Sequence, residues 1–281
     1  MPESLFITDL NEIKSILKTN ESIYLYDTVL IAQHEKIFHQ TGARLLCDFV
    51  KEAPVIITET VYNELARANE STKRLSERYI AYLSQFQQLL YLSESHLFEL
   101  IRYKYPKGVL PNMMKIVKAA FKTRVSFTRC LDTAVVPSEE MLLDLLHEDF
   151  ADGKDYGEYS LIWTAFVIQE IYQKMNCHFI GADNDLFRLY MSSYQHDAWA
   201  NQKQPMKKAW ISSTETILAA MLLDYGDEQM IHLYRHAHVA SRKLIYHEYL
   251  HGILSLQYAS KPFSNMEFIH AVKQKHVHIV Y

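Results

Sequence analysis

The stretch Ile23-Tyr24-Leu25-Tyr26-Asp27-Thr28-Val29-Leu30 decides how the rest of the chain is read. Four apolar or aromatic residues in a row make a buried-strand candidate, and Asp27 sets a carboxylate at its carboxyl end. Residues 28–50 then carry a largely helical pattern. The arrangement recurs twice. Val55-Ile56-Ile57 follows Pro54 and leads through Thr58, a residue suited to cap a helix, into the helical pattern of 61–68. His178-Phe179-Ile180 leads into a helix over 183–191. Strands alternating with helices predict an α/β fold, a parallel sheet flanked by helices.

Working outward, Lys208-Ala209-Trp210-Ile211 supplies a further strand, followed by a helix from Ser213 or Thr214 to Tyr225. The region between the second and third units reads as mostly helical, including 72–103 and 138–150. A domain is therefore expected over residues 1–225, with a helical insertion over 71–150. Residues 226–281 are expected to form a helical extension with a final strand at 276–281.

Composition narrows the chemistry. The 281 residues suffice for one large domain with a real core. No run of 18 apolar residues exists, so no membrane partner is expected. The opening MPESLFITDLNEIK holds acids where a secretory signal needs a basic segment and an apolar one. Cys47, Cys130 and Cys177 lie far apart and are odd in number, which argues against a disulfide framework and for a reducing, cytoplasmic location. Among the seven glycines there is no G-x-G-x-x-G, no Walker A loop and no G-x-S-x-G. What remains is chemistry carried by carboxylates and histidines.

In an open parallel sheet, ligands bind beyond the carboxyl ends of the strands. Asp27 and Asp183 fall there, Glu64 lies in the helix after the second strand, and Asp155 with Glu158 opens the helix before the third. Carboxylates gathered that closely raise one another's pKa unless a cation neutralises them. Mg²⁺ and Mn²⁺ prefer oxygen ligands and can retain water, which suits them to phosphodiester hydrolysis. Taken singly, each acid has an ordinary reading as a turn, a cap or a solvated helix charge.

The ordered set resembles the PIN-domain nucleases. The segment around Asp27-Thr28 is similar to the family's opening strand. Pro54-Val55-Ile56-Ile57-Thr58-Glu59-Thr60-Val61-Tyr62-Asn63-Glu64-Leu65 resembles its second strand and the helix bearing Val-x-x-Glu-Leu. Asp155-Tyr156-Gly157-Glu158 resembles the Gly-Glu opening of a third helix, and Phe179-Ile180-Gly181-Ala182-Asp183-Asn184-Asp185-Leu186 the late strand ending in Asp-x-Asp-Leu. The resemblance implies a PIN-like, Rossmannoid fold and a metal-dependent endonuclease acting on single-stranded RNA. It implies catalytic, metal-binding roles for Asp27, Glu64, Glu158 and Asp183, supporting metal ligands in Asp155 and Asp185, and Mg²⁺ or Mn²⁺ as cofactor. It leaves room for an inhibitory protein partner and for a homodimer.

Two further features bear on partners. Arg102, Lys104, Lys107, Lys115, Lys118, Lys122, Arg124 and Arg129 form a block without a single acid, interleaved with Tyr103, Tyr105, Phe121 and Phe127. Such a block can neutralise phosphates and stack bases, and it is the expected RNA-binding surface; a solvated helix face is the plainer reading. His247-Glu248-Tyr249-Leu250-His251 matches H-E-x-x-H, which on a helix would place two imidazoles on one face for zinc, with a third ligand from Glu267, His270, His276 or His278. A zinc hydrolase is thus one alternative, and a PIN-like binding or regulatory module without turnover is the other.

Overall fold

The computed structural model describes residues 4–67, 74–151, 155–195, 209–236, 243–250 and 253–281. At its centre lies β1 (Ser22–Tyr26), paired in parallel with β2 (Val55–Thr58) on one side and β4 (Asn176–Ile180) on the other. β3 (Leu89–Leu92) lies outside β2, and β5 (Ala209–Ser212) outside β4. The result is a five-stranded, all-parallel sheet in the order β3-β2-β1-β4-β5. Helices cover both faces of such a sheet, so its strands read as continuous apolar runs. β2 and β3 are accordingly buried at every position.

The helices follow from the connections that parallel strands need. α1 (Leu10–Thr19) precedes β1, and α2 (Thr28–Thr41) with α3 (Leu45–Val50) follows it. α4 (Glu59–Arg67) and α5 (Glu77–Leu83) join β2 to β3. The long return to β4 holds α6 (Glu94–Lys104), α7 (Val109–Ala120), α8 (Val125–Thr133), α9 (Glu139–Asp149) and α10 (Tyr156–Ile171). α10 is buried on every side from Tyr159 to Gln169, as its apolar run Leu161-Ile162-Trp163-Thr164-Ala165-Phe166-Val167-Ile168 requires. It packs against the sheet and against α4, α6 and α7. After β4 comes α11 (Asn184–Tyr190), prolonged by a π-helical turn over Met191–Gln195, and after β5 come α12 (Thr214–Tyr225) and α13 (Glu228–His236).

Two expectations need correction. The 72–103 region contains a strand, β3, because Leu89-Leu90-Tyr91-Leu92 is too short for its period to separate strand from helix. Pairing with β2 settles the matter in favour of the strand. The 226–281 region is not all helical. Between α13 and α14 (Asn265–Lys273) lie β6 (Lys243–Leu250) and β7 (Ile253–Pro262), which pair antiparallel. The expected final strand is β8 (Val277–Ile279), which pairs antiparallel with β6 and completes a small sheet in the order β7-β6-β8. The β-branched and aromatic residues of Leu244-Ile245-Tyr246 favour a strand over a helix, and Leu244 and Tyr246 turn inward together at a spacing of two. α13 docks on the main body through Tyr234, whose hydroxyl accepts from the Leu45 amide at 2.7 Å and donates to the Ala43 carbonyl at 3.1 Å.

The chain steps outward from β1 to β2 and β3, then returns to the other side of β1 for β4 and β5. The strand order therefore reverses between β1 and β4, and the crevice beyond their carboxyl ends is the place where such sheets bind ligands. Tyr26 is in register with Ile180, so Asp27 leaves β1 level with Gly181, and Asp183 follows two residues later at the same edge. Among the described residues, no helix is long and apolar enough to cross a membrane.

Candidate metal centre at the strand ends

Asp27 is the first residue past β1 and is 3% exposed. Its amide donates to the Ile180 carbonyl at 2.9 Å, which ties it to the end of β4. Its side chain caps α2, with Oδ2 accepting from the Val29 amide at 3.2 Å. Burial, aided by the nearby charges of Glu64 and Asp183, pushes its carboxyl up to about 7, against the stabilising amides of Val29 and Thr28.

Glu64 reaches the same crevice from α4. Thr28 donates its hydroxyl to Glu64 Oε2, fixing the carboxylate beside Asp27. Burial raises its pKa, with the Thr28 hydrogen bond and the Arg67 charge opposing. Glu158 arrives in the first turn of α10. Burial first, then Asp27, Asp155 and Glu64, push it up to about 7 against its own backbone amide. Asp183 caps α11, with Oδ1 accepting from the Asp185 amide at 3.0 Å. Four acids from four segments thus act on one another electrostatically.

The supporting acids separate. Asp155 is exposed at the N-terminus of α10, in the left-handed region at φ 60°, and its charge reaches Glu158. Asp185 is exposed, with its carboxylate 3.5 Å from Arg188 Nη1. It serves Asp183 through its backbone amide.

Gly157 explains how α10 comes so close. A Cβ there would lie 3.0 Å from Glu64 Oε1 and 3.1 Å from Oε2. Gly157→Ala should leave the fold intact, because alanine favours helix by about 1 kcal/mol. Glu64 would have to move, so Mn²⁺ affinity, read by isothermal titration, is expected to fall about tenfold. An unchanged affinity in the folded variant would remove Glu64 from the ligand set.

The donor set fits a hard divalent ion. All four acids are oxygen donors, three have raised proton affinity, and among the described residues no lysine or arginine forms an ion pair with any of them. That is the charge state a divalent cation relieves. Among the described residues, no three His, Cys, Asp or Glu side chains are already drawn around a single point. Closing the four acids on an ion would therefore need their side chains to move, and carboxylates without a cation between them resist that approach.

Four of the block's eight basic residues, Arg102, Lys104, Lys118 and Arg124, form ion pairs within the chain. Arg102 pairs with Glu99 and, at 2.5 Å, with Glu139; Lys104 pairs with Glu170 at 2.8 Å, and Lys118 with Asp132 at 2.6 Å. Arg124 binds Asp149 at 2.5 Å and lies 3.9 Å over the Phe150 ring. Lys122 is half-buried, while Lys107, Lys115 and Arg129 are exposed. Phe121 and Phe127 are core residues, so they offer no stacking surface.

Residues 247–250 of the H-E-x-x-H segment lie in a strand and not on the helix its zinc reading requires. His247 and Glu248 lie on β6, whose pairing with β7 shifts register between Tyr246 and Glu248. His247 is in register with His278, their ring centroids 6.0 Å apart. His251 lies outside the described residues. Glu267 accepts from the Ser264 amide at 2.8 Å as part of the capping box of α14, and the His270 and His276 rings lie 6.2 Å apart, edge to face.

Three site residues have little or no sequence signal of their own. Thr28 stands beside Asp27, but its bond to Glu64 spans two segments. Gly157 lies between Tyr156 and Glu158, where no spacing marks it as the close approach to Glu64. Tyr281, whose hydroxyl donates to the Asp183 carbonyl at 2.9 Å, has no signal at all. Comparison with family models, with curated proteins and with solved structures returns no match.

Proposed function

We propose that the chain is a PIN-like, metal-dependent endonuclease that hydrolyses phosphodiester bonds in single-stranded RNA. Asp27, Glu64, Glu158 and Asp183 would hold Mg²⁺ or Mn²⁺, with Asp155 at the rim. The observation that carries the reading is the set of mutually acting acids, without ion-pair partners among the described residues, at the reversal point of a parallel sheet. When bound, such an ion supplies an activated water and stabilises charge on a phosphoryl oxygen.

The chain's own residues supply orientation. The Val29 amide holds one oxygen of Asp27 and the Asp185 amide one oxygen of Asp183, which fixes both carboxylates at the starts of their helices. Thr28 prevents Glu64 from rotating away. No side-chain nucleophile is required. The deciding experiment is a titration of Mn²⁺ into the protein by calorimetry, paired with cleavage of a labelled single-stranded RNA. Absence of both at neutral pH would sink the reading, and turnover supported by Zn²⁺ alone would favour a different centre.

The RNA path follows from the charges still open to solvent. Replacing Lys107, Lys115 and Arg129 together by Gln should flatten the plot of log affinity against log salt by about two units, at roughly 0.7 for each phosphate left without its cation. The Lys118→Gln variant should leave the slope unchanged, since Asp132 already occupies that ammonium. Binding would be measured over a salt series with Ca²⁺ in place of the catalytic ion. An unaltered slope in the triple variant would move the RNA path to another face.

A further inference from the structure

We propose that Tyr281 is a positioning residue for the carboxylate site, through which the small sheet holds Asp183 in place; this rests on the reading of Asp183 as an ion ligand. Tyr281 is 1% exposed although it belongs to the β6–β8 region, a separate sheet. Its main chain is fastened to that sheet, accepting from the Ile245 amide at 2.8 Å and donating to the Ile245 carbonyl at 3.0 Å. Its side chain leaves the small sheet altogether. The ring stacks on Phe187 of α11, centroids 5.0 Å apart and planes 23° apart, and the hydroxyl donates to the Asp183 carbonyl at 2.9 Å.

The segment 181–183 is consequently held from three sides. The Gly181 amide donates to the Ser212 carbonyl at the end of β5 at 3.1 Å. The Asp183 carbonyl accepts from the Phe187 amide at 3.2 Å as the first bond of α11, and again from Tyr281. Gly181 permits the close fit. A Cβ there would lie 2.3 Å from Leu186 Cδ2 and 3.5 Å from the Tyr281 hydroxyl. The local cap of α11 fixes where the helix starts, whereas Tyr281 relates Asp183 to the other sheet. A ligand carboxylate whose backbone is braced in this way needs less reorganisation to meet an ion.

Tyr281→Phe separates positioning from packing, because the ring stack and the main-chain bonds remain. The Phe187 amide still satisfies the Asp183 carbonyl, so the variant is expected to fold and to melt near the wild-type temperature. Amide hydrogen exchange should accelerate about fivefold at Asp185 and Phe187, the effect of losing one hydrogen bond. Mn²⁺ dissociation constants, measured by calorimetry on the full chain, should rise about tenfold. Asp183→Asn provides the reference. If Tyr281→Phe exchanges and binds Mn²⁺ like the wild type while Asp183→Asn loses the ion, the positioning role is wrong and the site reading stands. Faster exchange with unchanged Mn²⁺ affinity would make the hydroxyl structural and overturn the proposal equally. If wild type and Asp183→Asn bind Mn²⁺ alike, the ligand reading of Asp183 itself has failed, and the inference falls with it.

Discussion

Asp27→Asn is expected to lower Mn²⁺-dependent cleavage of single-stranded RNA by about a hundredfold or more while the protein stays folded. The substitution keeps the volume of a side chain that is 3% exposed, so no cavity forms. The amide oxygen can still accept from Val29 and cap α2, as asparagine caps do. What is lost is the negative charge at the point where Glu64 and Asp183 also act. Asp183→Asn should behave similarly, since its capping bond to the Asp185 amide survives the change as well. Rates would be measured in single turnover at saturating Mn²⁺, with circular dichroism as the check on folding. Wild-type turnover in either folded variant would exclude that acid from the centre.

Without the ion, the protein should melt at a lower temperature at pH 8 than at pH 5. Asp27 has a folded-state pKa of about 7 against an ordinary value near 3.8, and Glu158 about 7 against 4.5. Between those limits the folded state keeps protons that the unfolded chain has released. Relative stability is therefore complete below about pH 4 and is lost as the pH climbs through 7. For Asp27 alone the part of that span above pH 5 is about two pKa units, about 3 kcal/mol at most at 1.36 kcal/mol per unit. In a chain of this size that amounts to a melting shift of about 5 °C. Mn²⁺ should restore most of the loss at pH 8 and little at pH 5, where protons compete for the same oxygens. Scanning calorimetry with chelator and with Mn²⁺, across pH, measures both arms. Asp27→Asn isolates the cause, because it should flatten the pH dependence and melt higher than wild type at pH 8. A variant with the wild-type pH slope would show that the penalty arises elsewhere.

Much of the large sheet was legible because parallel strands advertise themselves. Ile23-Tyr24-Leu25-Tyr26 and Val55-Ile56-Ile57 are apolar without interruption, and the polar residue after each, Asp27 or Thr58, accepts from an amide of the helix that follows. Leu89-Leu90-Tyr91-Leu92 is equally apolar and Ser93 caps the helix after it, but four residues are too few for their period to set a strand apart from its helical neighbourhood. His247 and His251 are four apart, a helical interval, and that spacing hid a strand whose pairing partners lie beyond residue 252 and at 277–279. Asp27 and Asp183 could be grouped because strand ends in such a sheet share one edge, whereas Glu64 and Glu158, on helices, joined them through the ordered resemblance to the PIN-domain nucleases. The basic block could not be judged from order alone. Its partners Asp132, Glu139, Asp149 and Glu170 lie 14 to 66 residues from the cations they meet, so four charges of a run that reads as +8 are balanced in space.

The central position of β1 also bears on the order of folding. Its pairing with β2 closes a loop of about 30 residues, whereas its pairing with β4 must await α6 to α10 and closes about 150. Closing the longer loop is entropically harder, and pairings of that range slow folding. The shorter closure brings together Asp27 and Glu64, joined through Thr28, whereas Asp183 needs the longer closure to β4. Charge repulsion enters at that last step. Refolding without the ion should accordingly have a late phase that slows as the pH rises, and Mn²⁺ present from the start should accelerate it.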